Sequence, residues 1–593
     1  MEPTKFYKQR LEELNIQLKK LQKRKSAFAW FRLGAIIAIV FAFYLLWSLG
    51  LVYVIAASIL LLFIFARLIS ADLKNQSQIE NTKFLININE NELKCLAGNF
   101  YDFPSGAEHI PKEHPYANDL DIFGRASLFQ YINRTTSEPG SKRLAEYLKA
   151  PASISVISER QKAAKELSGK QIWIQHLRSA AMKNKITFSG KNRLEEWMEE
   201  PLVFSGFKPW NWLRYILPVI ILTIVALFIF DIVGYTIFYL ALLIFAIIAY
   251  QVNKFVAPVH QQLTKVADEL TTLSSNISAI ENEKFESTLL KRWQSFFLDK
   301  NKKASGDILK IKKILDRLDL RYNMVLSLPL NILLLWNLQQ VLDLEKWKQK
   351  QEDSIDKWFD TLAGFEALNS FGILTFNEPG WLFPGIFEKY FSIEGKEIGH
   401  PLIPKEKRVD NYIDIPTSGD LMLVTGSNMA GKSTYLRSIG VNVVLAMAGA
   451  PVCAKSFSVS HVQLISSMRI TDNLEESTST FYAELKKLKT IIERVNNGER
   501  LFILLDEILR GTNSLDRHTG SKALIRQLMK KNAAAIIATH DLDLANLFSE
   551  NILNYHFDVQ VSNEELYFDY RLKPGICNSL NASILMKKIG IEL

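Results

Sequence analysis

Two glycines, a lysine and a hydroxyl recur at a fixed spacing in Gly426-Ser427-Asn428-Met429-Ala430-Gly431-Lys432-Ser433, with Thr434 following. This is the GxxxxGK[ST] pattern, in which backbone N–H groups and the start of the next helix cradle phosphate oxygens. Lys432 is the cation for the outer phosphates, and Ser433 is the hydroxyl for Mg²⁺. Further along, the apolar run LFILLDE ends in Asp506 and Glu507. Asp506 suits a direct or indirect hold on the metal, and Glu507 is placed to polarise an attacking water. A third run, AAAIIATH, ends in His540, a candidate sensor of the γ-phosphate. The chemistry expected is Mg²⁺-dependent hydrolysis of ATP.

These side chains need a scaffold that brings three sequence-distant run ends together. LMLV before the loop, LFILL and AAAIIAT all read as short buried strands, and YLRSIGVNVVLAMAGA reads as a helix. A parallel α/β sheet presents such ends along its carboxyl edge.

At 593 residues the chain is too long for one core. Lys and Arg exceed Asp and Glu by 71 − 62 = 9, which suits either nucleic acid or anionic lipid. Three scattered cysteines argue for a reducing compartment. His109 and His114 form a close pair, but a structural zinc needs about four ligands.

Two long apolar stretches, 33–66 and 212–250, each carry a turn near the middle (Gly50; Asp231 to Gly234). Each reads as two short membrane-spanning helices in a hairpin, since a single span needs about 17 residues or more. Lys19, Lys20, Lys23, Arg24, Lys25, Arg32, Arg67, Lys74, Arg214 and Lys254 lie at the open ends, and neither tip carries Lys or Arg. The positive-inside rule then puts both termini and the ATP site in the cytoplasm, with the hairpins in the inner membrane. A further apolar run, Met324 to Leu338, contains Pro329, Asn331 and Asn337; a fifth crossing would expel the ATP site, so a buried core helix is expected there. Before the first span, Tyr7, Leu11, Leu14, Leu18 and Leu21 form a short heptad stripe, whose basic flank suits lipid headgroups.

The motifs resemble, in order and spacing, those of the MutS ATPases of DNA mismatch repair. TGSNMAGKST is similar to that family's TGPNMGGKST; SMRITDNLEESTSTF resembles its segment ending Ser-Thr-Phe, here Ser479, Thr480 and Phe481; LLDEILRGTNSLDR resembles DExxRGTxxxD. The stretch Leu120 to Pro151 resembles its helical core, and GHPLI at Gly399 the entry to its ATPase domain. The resemblance implies a homodimer with facing ATPase domains, in which Ser479 of one subunit approaches the γ-phosphate held by the other. It also implies double-stranded DNA as a partner. The mismatch-reading domain has no counterpart ahead of Leu120. A hairpin stands about where the family places its DNA clamp, and the chain stops where relatives continue into a helical tail. The Phe376-Asn377-Glu378 triplet lies deep in the core region and is set aside.

Three functions compete. The first is a membrane-anchored MutS-like ATPase acting on DNA, with mismatch specificity in doubt. The second is a membrane remodelling or signalling ATPase that uses the same engine without DNA. The third, a transporter, lacks an LSGGQ-like signature between Lys432 and Asp506, so no small-molecule transport substrate is expected. The basic run Lys300 to Lys313 is a candidate phosphate contact, although such runs are more often solvated helix faces. The architecture expected is a cytoplasmic amphipathic helix (1–32), hairpin one (33–66), a linker (67–119), helical core (120–211), hairpin two (212–250), an all-α lever region (251–385), and an α/β P-loop NTPase domain of ABC/MutS type (386–593).

Overall fold

A computed structural model describes residues 2–577 apart from 205, 207–208, 300–301, 352–353, 428, 469–479, 547–551 and 563–564. Asn428 and Ser479, both expected at the nucleotide, lie outside the described residues. The chain divides into two compact units, Met1–Phe100 with Ile172–Lys183, and Tyr101–Gln171 with Asn184–Leu593.

In the first unit, helix α1 (Pro3–Leu46) and helix α2 (Leu51–Leu96) reverse at Gly50. They have 44 and 46 residues. At 1.5 Å per residue each is about 65–70 Å long, twice a hydrocarbon layer of about 30 Å. Tyr7, Leu14 and Leu21 are buried seven apart, and α2 buries Ile79, Leu85 and Ile88. Asn75 Nδ2 donates to the Leu21 carbonyl at 3.1 Å, and Arg32 pairs with Asp72 at 3.0 Å. Residues 3–32 are therefore one arm of a helical stalk, continuous with the apolar run, rather than a separate helix on a headgroup surface. The expected linker 67–119 is likewise helical as far as Leu96. It holds neither Gly nor Pro from Ala66 until Gly98, where φ is 84°.

The part of helix α3 (Gln171–Lys183) from Ile172 onward completes this unit. Asn89 and Gln175 exchange side-chain hydrogen bonds of 3.2 and 3.0 Å, and Arg178 pairs with Glu92 at 2.9 Å. All four are buried. Such contacts reject a shifted register, because a slip would strand each polar group. Nearer the turn, Val40, Phe41, Tyr44 and Val52 face outward. Each Å² of such surface left in water forgoes about 25 cal/mol.

The second unit contains the other hairpin, α4 (Trp210–Ile229) and α5 (Tyr235–Thr264), reversing where Asp231 takes a φ of 57°. Four helices of the described chain, α1, α2, α4 and α5, are long and apolar enough to cross a membrane. Two shorter helices follow, α6 (Met324–Leu334) and α7 (Trp336–Lys350), bent 74° apart at Leu335, whose φ is 48°. Here the expectation of a buried core helix fails. Val325 is 82% and Leu328 65% exposed, while Ile332 and Leu333 pack on the hairpin cluster Ile221, Ala241 and Phe245. An apolar composition alone does not distinguish a core-facing helix from one with an apolar outer face.

Helix α8 (Ile355–Asn377) is buried along most of its length. Its Glu366 carboxylate accepts from the Thr136 and Ser137 backbone and hydroxyl groups, at 2.7–3.2 Å, and so ties the helical core together. At its end Glu378 takes the Tyr131 hydroxyl at 2.6 Å, a packing role for the triplet.

The carboxyl-terminal domain holds two sheets. Strands β1 (Gly385–Phe387), β2 (Ile393–Ile398), β3 (Asn411–Ile415) and β5 (Ser456–Ser460) run in the order β1-β5-β2-β3. The larger sheet comprises β4 (Leu421–Gly426), β6 (Gln463–Ser467), β7 (Leu501–Asp506), β8 (Ala534–Thr539), β9 (Ile552–Ser562) and β10 (Glu565–Pro574). Its order is β10-β9-β4-β8-β7-β6, and all neighbours are parallel except β9 and β10. Strands β4, β7 and β8 are buried at every position, as continuous apolar runs in a sheet covered on both faces must be. Helix α9 (Lys432–Ala448) follows β4; α10 (Thr480–Asn496) and α11 (Ser514–Lys530) supply Leu488, Ile491, Leu524 and Ile525 to the core on Ile503, Leu505 and Ile537.

Candidate nucleotide-binding site

Strand register brings the chemistry together. Thr425 of β4 pairs with Thr539 of β8, and Ala538 of β8 pairs with Asp506 of β7. The loop after Gly426, the pair Asp506–Glu507 and His540 therefore leave the sheet side by side at its carboxyl edge.

The loop is shaped by backbone that only glycine tolerates. Gly426 has a φ of 144°, and a Cβ there would meet the Phe557 carbonyl at 2.8 Å. Gly431 (φ 107°) precedes α9, whose first turn leaves Ser433 and Thr434 exposed. Ala430 is buried, Ser427 half-buried and Met429 exposed. The first-turn N–H groups of a helix make its start electropositive and suited to phosphate.

Lys432 is buried, and its Nζ donates to the carbonyls of Gly426 and Ser427, both at 2.9 Å. Burial pulls its pKa down, with Glu507 and Asp506 opposing. Glu507 sits at a φ of 54°, its N–H bonded to the Ala538 carbonyl at 2.9 Å. Its carboxylate takes His540 Nε2 at 2.5 Å and Arg510 Nε at 3.0 Å. The same His540 nitrogen lies 3.4 Å from Lys432 Nζ. One nitrogen cannot donate to Glu507 and accept from Lys432 at once, and the shorter contact is the hydrogen bond. The bond from His540 is the chief reason the Glu507 carboxyl titrates below its ordinary value. Asp506 is buried, and its Oδ1 has no hydrogen-bond partner among the described residues. An orphaned carboxylate oxygen beside this glycine-shaped loop fits a divalent cation, and Asp506 and Ser433 are the residues that would hold Mg²⁺.

Two features escaped the sequence. Glu484 of α10, buried, accepts the Leu509 N–H at 2.5 Å. A Cβ on Gly511 would lie 2.7 Å from Phe481 Cβ. The Ser-Thr-Phe segment and the RGT segment were both visible as motifs, but nothing in their spacing says that they touch. Tyr570 is the second: its ring lies 3.2 Å from where a Gly431 Cβ would stand, and its carbonyl accepts from Asn411 at 3.0 Å. The GHP corner is structural. His400, half-buried and pushed down to about 4 by desolvation, accepts the Leu402 N–H, while the Gly399 carbonyl takes Asn442 of α9 at 2.9 Å. In the basic run, Lys310 and Lys312 pair along their own helix with Asp307 (2.7 Å) and Asp316 (2.5 Å).

The profile of MutS domain V matches residues 422–587, the stretch that carries every group just described except Asn411, the Gly399–Leu402 corner and the basic run. The carboxyl-terminal domain is of the MutS family. Among its relatives, a DNA mismatch repair protein MutS of Persephonella marina is 32% identical over 246 residues, 40% of this chain and 28% of that protein. The Aquifex pyrophilus protein of the same name is 36% identical over 208 residues, 33% of this chain and 24% of its own length. Human MutS protein homolog 4 is 32% identical over 208 residues, 33% and 22% of the two chains. The match thus spans about a quarter of the relatives' length.

Proposed function

We propose that this protein is a membrane-anchored MutS-type ATPase, in which Mg²⁺-dependent ATP hydrolysis by the carboxyl-terminal domain is coupled to DNA. The observation that carries the reading is the convergence of Lys432, Asp506, Glu507 and His540 at one sheet edge beside a glycine-shaped loop. Lys432 exchanges its two carbonyl partners for phosphate oxygens when nucleotide enters. Mg²⁺, when bound, neutralises charge on the outer phosphates. Glu507, ionised at neutral pH, orients a water for in-line attack, and His540 holds its carboxylate in place. Ser479 of a second subunit completes the site in a homodimer.

The relatives' names carry the DNA partner; the two apolar hairpins carry the anchor in the inner membrane, with the ATP site in the cytoplasm. The test is full-length protein in lipid, assayed for Mg²⁺-dependent ATP turnover and for duplex binding across a salt series. Turnover abolished by Lys432→Ala and duplex binding that weakens steeply with salt are expected. Turnover without any duplex binding would favour the remodelling or signalling role.

A further inference from the structure

We infer that α6 is a re-entrant membrane element: it enters the bilayer beside the second hairpin and leaves on the side it came from. The inference rests on the membrane reading of α4 and α5. From Tyr322 to Leu342 the chain holds no Asp, Glu, Lys or Arg, and Arg317 and Arg321 precede that stretch. A run of this length would otherwise be read as a crossing. Its two ends argue against one. Before α6, Asp319 bonds His260 Nε2 at 2.9 Å, near the end of α5. After α6, Asp343 pairs with Arg214 at 2.9 Å, and Gln339 takes Arg214 Nε at 2.7 Å, at the start of α4. Both contacts lie at the open end of the hairpin, away from its turn at Asp231. The run therefore goes in and comes back.

Its depth follows from its contacts. Ile332 and Leu333 pack on the cluster containing Ile221 and Phe245. Ile221 is about 10 Å beyond Arg214 along α4, and Phe245 about 13 Å inward of Lys254, at 1.5 Å per residue. Both distances approach the middle of a layer about 30 Å thick. Helix α6 has 11 residues, too few to span but enough for half the layer.

Irregular backbone at that depth must be satisfied by protein. At the bend, Leu335 is 1% exposed and its N–H bonds the Asn331 carbonyl at 3.1 Å. Asn331 Oδ1 then accepts the Asn337 N–H at 3.0 Å, and Asn337 reaches Asn253 of α5 at 3.1 Å. The two asparagines that looked out of place in an apolar run are what make the reversal tolerable. The outward face of Val325, Leu326 and Leu328 is then covered by acyl chains, continuous with the lipid around the hairpin.

Spin labels test the claim in liposomes, using Val325→Cys and Leu328→Cys in full-length protein with Cys95, Cys453 and Cys577 replaced by alanine. Leu243→Cys on the hairpin is the lipid reference and Phe387→Cys the water reference. The expected result is that both α6 labels favour oxygen over a water-soluble nickel complex, as the Leu243 label does. Nickel access like that at Phe387, with Leu243 remaining lipid-like, overturns re-entry and leaves the anchor standing. Nickel access at Leu243 as well sinks the anchor, and this inference with it. Protection from both reagents with dipolar broadening would mean that a second copy covers the face, which also overturns lipid contact. An impermeant maleimide should reach Lys346→Cys only from the side opposite Gly234→Cys; access from the same side would mean a fifth crossing and refute re-entry.

Discussion

Glu484 Oε1 accepts a hydrogen bond from the backbone N–H of Leu509 at 2.5 Å, inside the domain, with Glu484 itself buried. Leu509 (φ 60°) and Glu507 (φ 54°) both hold left-handed backbone that non-glycine residues adopt reluctantly. The carboxylate therefore braces a strained loop from the helix that begins just after Ser479. Any force on the start of α10 reaches Glu507 through this bond and through Phe481 against Gly511.

Glu484→Ala is expected to lower kcat with little change in nucleotide affinity. An unsatisfied buried N–H costs about 1–3 kcal/mol, or roughly 5- to 150-fold if all of it falls on the transition state. Glu484→Gln keeps an acceptor and should recover most of the rate. Burial already raises this carboxyl's pKa, so the neutral side chain is well tolerated. Equal losses in both variants, or a loss confined to nucleotide binding, would refute the bracing role.

A second expectation concerns pH. Glu507 titrates below its ordinary value, chiefly because His540 donates to it. A depressed carboxyl stays ionised, and so active, until the pH falls below its lowered pKa. Removing the donor with His540→Ala lets that pKa rise, so the acidic limb of the rate profile should move to higher pH. Glu507→Gln should bind ATP yet hydrolyse it about 10²- to 10⁴-fold more slowly. Initial rates across an acidic pH series decide it; an unmoved limb in His540→Ala would break the link.

The site was legible because its parts are local. A glycine spacing, a buried run ending in Asp-Glu, and another ending in His each declare themselves within eight residues, and parallel register aligns them. Glu484 was not legible: one glutamate on an amphipathic helix looks like solvated surface until Leu509 is found beside it. The stalk was half legible. Tyr7, Leu14 and Leu21 mark a stripe, but Gln175 and Arg178 sit far away in sequence and have no motif. Helix α6 was misread because an apolar run says what a helix avoids, not what it faces.

The stalk yields a third expectation. Glu92 is 1% exposed and its pairing with Arg178 is buried. Arg178→Ala removes one side of a buried ion pair and should destabilise this unit by about 3–5 kcal/mol. The double variant Glu92→Leu with Arg178→Met should recover most of that loss, since two apolar groups of similar size need no partner. Proteolysis of α1 and α2 in lipid-reconstituted protein measures it. Equal protection of Arg178→Ala and the parent would mean that the pair is not holding the register.

The last expectation concerns assembly. Lys432 and Ser479 belong to opposite halves of a composite site if two subunits face each other. Ser479→Ala then retains an intact loop, and Lys432→Ala retains an intact serine. In a mixed dimer the loop of the first meets the serine of the second, giving one working site and one doubly broken one. Random pairing of equal amounts makes half the dimers mixed, so about a quarter of the parent's sites should return under two-fold symmetry. Each variant alone should be nearly inactive. The recovery should grow with total protein concentration as dimers form, and it is read as ATP turnover after exchange of the detergent-solubilised subunits. A mixture whose rate equals the average of the two variants at every concentration would mean that each chain completes its own site, and Ser479 would lose its assigned place across the dimer.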